Sequence, residues 1–211
     1  GNLGNAAGAL TFGGGTLRLT GGFTSGRAVT LNAGGGTFDT NGNDLTLSGN
    51  ATGAGALTKT GTGILTLTGT NTYNNATAIN DGALSVNGSI VSPVTVGAAG
   101  TLMGTGTITG DVTNNGTIAP GNSIGTLTIV GDYTQNPGTV YQVEVNAAGQ
   151  SDKLVVTGTA TLNGGVVSVL AESGAYRTST NYTILTAGSV VGTFDSVTSN
   201  LAFLTPTLSY D

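Results

Sequence analysis

The chain has no cysteine, no histidine and no tryptophan, and only 7% of its residues are charged. Each absence removes a kind of chemistry. Without Cys there are no disulfides, no thiolate nucleophiles and no thiolate zinc sites. Without His there is neither a Ser-His-Asp nor a Cys-His arrangement. The lack of Cys suits a chain that crosses an oxidising periplasm unfolded, where a disulfide would close a bulky loop. It equally suits a cytosolic chain with few thiols, so composition leaves that choice open.

Positive charge is also scarce. The five basic residues, Arg18, Arg27, Lys59, Lys153 and Arg177, are scattered, and the net charge is −5. Nucleic-acid binding draws on clustered cations, so that role is set aside. No apolar run approaches the roughly 20 residues of a membrane-spanning helix, and no signal peptide is recognisable. The chain opens on Gly1 and reads as a segment of a longer protein. The ten carboxylates, Asp39, Asp44, Asp81, Asp111, Asp132, Glu144, Asp152, Glu172, Asp195 and Asp211, are thinly spread. Only Asp152 has a basic neighbour, Lys153. A glycosidase needs two carboxylates across one bond, and catalysis in general needs convergent titratable groups. The expectation is a non-enzymatic protein, with no catalytic residue, no cofactor and no metal ligand.

What remains is 38 Gly with abundant Thr, Asn, Leu and Val, and only 4 Pro. Disordered chains are rich in charge and Pro, whereas Thr and Val favour strands and Gly and Asn favour corners. Short alternating runs recur: Thr16-Leu-Arg-Leu-Thr20, Leu45-Thr-Leu47, Leu65-Thr-Leu-Thr68, Leu84-Ser-Val86 and Thr126-Leu-Thr-Ile-Val130. Each puts aliphatic side chains on one face and mostly hydroxyls on the other, the period of a half-buried strand. Many end in Asn-Gly corners, at Asn41-Gly42, Asn87-Gly88, Asn115-Gly116 and Asn163-Gly164, which accept positive φ. Helical spacing is nearly absent, and Gly is too frequent for helix interiors.

A sandwich or barrel needs a wide core with bulky residues and usually aromatics. The first half offers only Phe12, Phe23, Phe38 and Tyr73. A solenoid core is narrow, and Leu, Val, Ile and Ala fill it while coils stack on one another. The expected fold is therefore an all-β parallel β-helix, with on the order of ten coils at about 20 residues each. Seven of the eleven aromatics lie beyond residue 130, where runs such as Thr139-Val-Tyr-Gln-Val-Glu-Val145 are longer. A solenoid end needs a cap, and these bulkier residues suit a C-terminal β cap.

The stretch Gly53-Ala-Gly-Ala-Leu-Thr-Lys-Thr-Gly-Thr-Gly-Ile-Leu-Thr-Leu-Thr-Gly-Thr-Asn-Thr-Tyr73, continuing to Gly82-Ala-Leu-Ser-Val86, resembles the passenger-associated repeat of bacterial autotransporters, the type V secretion family. Asn74-Asn-Ala76 stands where that pattern commonly has a Gly pair, which widens a corner. Gly116-Thr-Ile-Ala-Pro-Gly-Asn-Ser-Ile-Gly-Thr-Leu-Thr128 resembles the family's C-terminal passenger region. Gly131-Asp-Tyr-Thr134, Tyr141-Gln-Val-Glu-Val145, Asp152-Lys-Leu-Val-Val156, Leu162-Asn-Gly-Gly165, Tyr182-Thr-Ile-Leu185 and Gly192-Thr-Phe-Asp195 follow in family order. The resemblance covers residues 53–211; residues 1–52 show only similar rungs.

The resemblance implies a right-handed, single-stranded β-helix. It implies coils over 1–103, with the repeat at about 53–88, and a cap and autochaperone region over 104–211. It implies a chain at the cell surface of, or secreted by, a Gram-negative bacterium, whose partner in export is its own outer-membrane β-barrel. Candidate folding and cap residues are Pro120, Gly121, Tyr133, Tyr141, Tyr182, Phe194 and Phe203. The leading expectation is a monomeric stalk that displays an adhesin or effector. The alternatives are direct adhesion to host cells or glycans, ice binding through Thr-x-Thr pairs such as Thr58/Thr60 and Thr66/Thr68, and polysaccharide cleavage.

Overall fold

In the computed structural model, which describes residues 8–177, 179–202 and 204–210, the strands wind into a parallel β-helix. Among the described residues every strand-to-strand pairing is parallel and there is no helix. The strands group into nine coils around a three-sided prism. Seven coils carry three strands each. In the other two, one long strand, Thr77–Val86 or Val94–Gly104, runs across two sides.

The alternation read from the sequence decides which residues face the interior. Strand Leu45–Leu47 buries both leucines and turns Thr46 outward, and Leu57–Thr60 buries positions 57 and 59. Parallel pairing, with one register shift between Ile79 and Asp81, then stacks like on like. One inner column runs Leu45, Leu65, Leu84, Leu102, Ile118, Tyr141 and Val167. A second, on another side, runs Ile90, Ile108, Ile129 and Val156. Rungs sit about 4.8 Å apart, so each inner side chain touches its equivalents above and below. The core is one continuous narrow cluster from Phe12 to Phe194.

Outside, the register produces a column that spacing alone did not reveal. Thr16, Thr37, Thr58, Ala78, Thr95, Thr113, Thr134 and Thr161 stack in that order. The outward positions two residues further on are mixed: Arg18, Asp39 and Thr60 early, Asn115, Asn136 and Asn163 late. A single Thr column is therefore regular, but a two-column Thr lattice is not built.

Stacking continues through the expected boundary near residue 104, where Met103 pairs with Ala119 and Gly104 with Pro120. The one interruption lies on the third side. There the strands split into a three-stranded sheet ending at Ala51–Thr52 and a six-stranded sheet beginning at Thr70–Asn71.

Candidate functional site

Among the described residues, what stands out is a set of buried polar groups that stitch coils together. The first set lies between residues 57 and 92. Lys59 is on the inner face because strand alternation puts it there with Leu57. It is completely buried. Its Nζ donates to the carbonyls of Thr60 at 3.1 Å, Gly61 at 2.6 Å and Asp81 at 3.0 Å, tying its own coil to the next. Burial lowers its pKa to about 8, against the opposing pull of Asp81, Asp39 and Asp44. An ammonium without a carboxylate contact is tolerated here because three carbonyl dipoles replace water.

Asn71 repairs the interrupted side. Its Oδ1 accepts from the Ala51 N–H at 2.8 Å, and its Nδ2 donates to Gly69 O at 3.0 Å and Ser89 O at 2.9 Å. The carboxamide has the donor and acceptor of a peptide group, so it supplements what remains of the pairing there, the Thr72 N–H on Ala51 O at 2.7 Å and the Thr70 N–H on Asn50 Oδ1 at 3.0 Å. Nearby, the Tyr73 hydroxyl meets Thr77 Oγ1 at 2.9 Å, and that oxygen meets Ser92 Oγ at 2.8 Å. Burial pushes the Tyr73 phenol up to about 12, with the Thr77 hydrogen bond opposing.

A second set occupies one corner of the prism. Pro120 ends the strand Thr117–Pro120 and is buried. Gly121 follows with φ +94°, and its backbone exchanges two hydrogen bonds with Gly104, at 2.8 and 3.0 Å. A Cβ on Gly121 would fall 2.0 Å from Ser123 O and 2.6 Å from Asp152 Oδ1, so both conformation and space require glycine. Asp152 is buried. Its Oδ1 accepts from Gly125 N–H and its Oδ2 from Glu144 N–H, each at 2.8 Å. Burial raises its carboxyl to about 6. The two N–H groups oppose this, while Glu144 and Glu172 add to it.

The third set fastens the end of the stack. Tyr141 is fully buried, stacks on Phe194 with ring centroids 5.8 Å apart, and donates its hydroxyl to Ile184 O. Tyr176 donates to Val145 O and Glu172 O at 2.8 and 2.9 Å, and Tyr182 to Asn146 O at 2.8 Å. Residues 172–177 and 179–184 are thereby strapped over the turn that follows strand Val140–Val145. Tyr133 lies deeper, stacked between Val112 and Ala160, with its hydroxyl on Gln135 Oε1. Asn114 Nδ2 donates to the same oxygen at 3.0 Å, while Gln135 Nε2 is buried without a partner among the described residues.

Of the candidates named from sequence, Tyr141, Tyr182 and Phe194 thus share the strap end of the molecule. Pro120 and Gly121 share the corner, and Tyr133 stands in the interior of the stack. Phe203 lies outside the described residues. Sequence reasoning did not single out Lys59, Asn71, Asn122 or Asp152. For Lys59 a signal existed: the Leu57-Thr-Lys-Thr60 alternation puts the lysine on the leucine face.

Residues 57–86 match the passenger-associated-transport-repeat, the segment that contains Lys59, Asn71 and Tyr73. Over 184 residues, 82% of this chain, the sequence is 38% identical to an extracellular serine protease of Serratia marcescens. It is 35% identical over 185 residues to a second protein of that name from the same organism. The aligned part is 17% of each relative's length.

Proposed function

Since the chain belongs to the autotransporter passengers, we propose that it is a non-enzymatic stalk whose residues 104–211 nucleate folding of the β-helix during export. In this reading it is displayed on, or released from, a Gram-negative surface and presents an adhesin or effector carried elsewhere in the protein. The observation that carries the reading is the fastening of the C-terminal coils. Tyr141, Tyr176, Tyr182 and Phe194 tie residues 172–177 and 179–184 and the last coil onto strand Val140–Val145. Such a fastened end holds its shape before further coils arrive, and its exposed strand edge templates the next coil. Solenoid growth is a nearest-neighbour process, so growth from one seeded end resists back-sliding without ATP.

The protease chemistry in the relatives' names belongs to those proteins. This segment contains no histidine, and its part in such a protein is support. The test is deletion of residues 104–211 from the full-length protein, followed by surface display and protease resistance of the remaining passenger. Loss of folded, displayed passenger is expected. Normal display would end the nucleation reading and leave a passive stalk.

One observation favours a second reading, direct adhesion. The outer Thr column continues beside stacked asparagines, with Asn136 Nδ2 on Asn115 Oδ1 at 2.7 Å and Asn163 Nδ2 on Asn136 Oδ1 at 3.5 Å. This row of regularly spaced hydroxyls and carboxamides suits glycan hydroxyls. Glycan-array binding by the isolated chain, lost on Asn136→Ala, would support it; a blank array would remove it.

A further inference from the structure

The corner that begins at Pro120 makes contacts of an unusual kind for a solenoid. Stacked coils ordinarily touch only their immediate neighbours, and most side-chain hydrogen bonds of the early coils follow that rule, reaching about one coil away. Asn122 breaks it. Its Nδ2 donates to Asn87 Oδ1 at 2.8 Å, 35 residues back, and its Oδ1 accepts from Ser85 Oγ at 3.1 Å, 37 residues back. The coil between is not bypassed. Asn87 Oδ1 also accepts from Thr105 N–H at 3.2 Å, and Gly104 exchanges both backbone bonds with Gly121. The loop's other end is held from the opposite direction. Gly125 N–H is on Asp152 Oδ1, Lys153 N–H donates to Gly125 O at 2.9 Å, and Asp152 Oδ2 holds Glu144 N–H.

Four successive corners of the prism, at Asn87, Thr105, Gly121–Gly125 and Asp152, are therefore joined by one continuous set of polar contacts. We infer that the loop Gly121–Gly125 is a tie across these corners, and that it makes the coils from Thr77 to Val156 open as one unit rather than one at a time. The consequence is next-nearest-neighbour coupling in a fold that otherwise has none at this point. It joins the transport repeat, which contributes Ser85, to the coils that carry Tyr133 and Tyr141. The inference concerns the folded chain in solution and holds or fails whether or not residues 104–211 act during export.

Asp152 makes the tie sensitive to pH. The groups facing its carboxyl are Glu144 on the strand Val140–Val145, Glu172 beyond the strand Val166–Ala171, and the buried Tyr141 phenol. Lys153 is its sequence neighbour. The loop Gly121–Gly125 brings no charge. The folded chain holds the Asp152 proton up to about pH 6, whereas the unfolded value is about 3.8. The stabilisation that follows is complete below the unfolded value and is lost as pH rises through 6.

The experiment is native-state hydrogen exchange on this 211-residue chain, with Asn122→Ala and Asp152→Asn singly and together. In the parent chain, amides around Asn87–Thr105, Gly125 and Glu144 should share one dependence on denaturant. Asn122 is exposed, so Asn122→Ala folds. It should let the Asn87–Thr105 corners exchange at least about tenfold faster than Glu144, the factor expected for losing one ordinary hydrogen bond. Asp152→Asn should flatten the change in unfolding midpoint between pH 4 and 7, a readout that packing alone would not move. Separate denaturant dependences already in the parent chain would overturn the proposal. So would an undivided response in the double variant, or an Asp152→Asn profile that keeps the parent's slope.

Discussion

The first three coils and the last three are built on the same three-sided rung but are held in different ways. Early in the chain, side-chain ties are local. Thr40 Oγ1 donates into the carbonyls of residues 60–62 in the coil below, and Asn41 Nδ2 reaches Leu19 O in the coil above. The core there is aliphatic, with one aromatic contact, Phe12 on Phe38 at 4.9 Å. Late in the chain, Tyr141 reaches Ile184, 43 residues on, and Tyr182 reaches back 36 residues to Asn146. A stack of local contacts loses coils one by one from its end, as one-dimensional repeat arrays do. The Tyr141 ring on Phe194 reaches past the intervening strand Val166–Ala171, and a contact that skips a coil makes its coils stand or fall together. One rung geometry thus supports two kinds of cooperativity, and the choice rests with a handful of side chains in corners.

The largest effect that would test this contrast is expected from Tyr141→Ala. It removes a fully buried ring, the stack on Phe194 and the bond to Ile184, and should cost about 3–5 kcal/mol. The matched change Phe38→Ala should cost a similar amount, but with local consequences. Limited proteolysis separates the two. Tyr141→Ala should expose cleavage sites across residues 140–199, whereas Phe38→Ala should expose only the first coils. If Phe38→Ala opened the whole chain, the contrast between the two ends would be lost.

Next in size is Asn71→Leu. It strands the Ala51 N–H and removes one donor from the carbonyls of Gly69, which keeps the Ser89 N–H, and of Ser89, with an expected cost of about 2–3 kcal/mol in urea unfolding. An effect under about 0.5 kcal/mol would mean that the backbone repairs the interruption without the carboxamide.

Lys59→Met removes one donor from each of three carbonyls, of which Thr60 O and Gly61 O keep Thr40, at about 1–3 kcal/mol. Its pH signature is more telling. The folded value of about 8 lies below the unfolded 10.5, so the unfolded chain binds the proton more tightly and stability should rise between those values. Tyr73, pushed up to about 12, works the other way above pH 10, where the unfolded chain loses its phenolic proton first. The unfolding midpoint of the parent chain should therefore climb above pH 8 and turn over near 10; in Lys59→Met the climb should vanish and the fall remain.

The smallest effect is Arg18→Ala. Its ion pair with Asp39 spans 3.3 Å with the arginine 67% exposed. Such pairs contribute about 0–1 kcal/mol, so the midpoint should hardly move. A large loss here would mean that the early coils also depend on long-range ties.

Much of this architecture was readable before any coordinates. Alternation in Leu45-Thr-Leu47 and Leu65-Thr-Leu-Thr68 names both the strand and its buried face, because period two is a property of the backbone itself. Asn41-Gly42 marks a corner for the same reason, and the structure puts both residues at positive φ. The outer Thr column was not readable, because coil lengths vary and only pairing reveals which threonines align. The scarcity of charge hid Lys59: it was counted only as one of five scattered cations, although the Leu57-Thr-Lys-Thr60 alternation puts it on the leucine face. Asn71, Asn122 and Asp152 act across coils through corners, where no periodicity announces which residues will meet. The aromatics beyond residue 130 pointed to the end of the stack, yet Tyr133 stands well inside it, since a ring that suits a cap also fits a widened rung.

Asn71 has a mechanical meaning as well. Pulled along its axis, a stack of parallel rungs resists through three ladders of backbone hydrogen bonds sharing the load. At the junction between Ala51–Thr52 and Thr70–Asn71 one ladder thins to the Thr72 N–H on Ala51 O, helped by two carboxamides: Asn50 accepts from Thr70 N–H, and Asn71 bonds Ala51 on one side and Ser89 on the other. Part of the load there passes through side chains with their own torsional freedom. Under tension this is where the rod should bend first and part into an upper and a lower length.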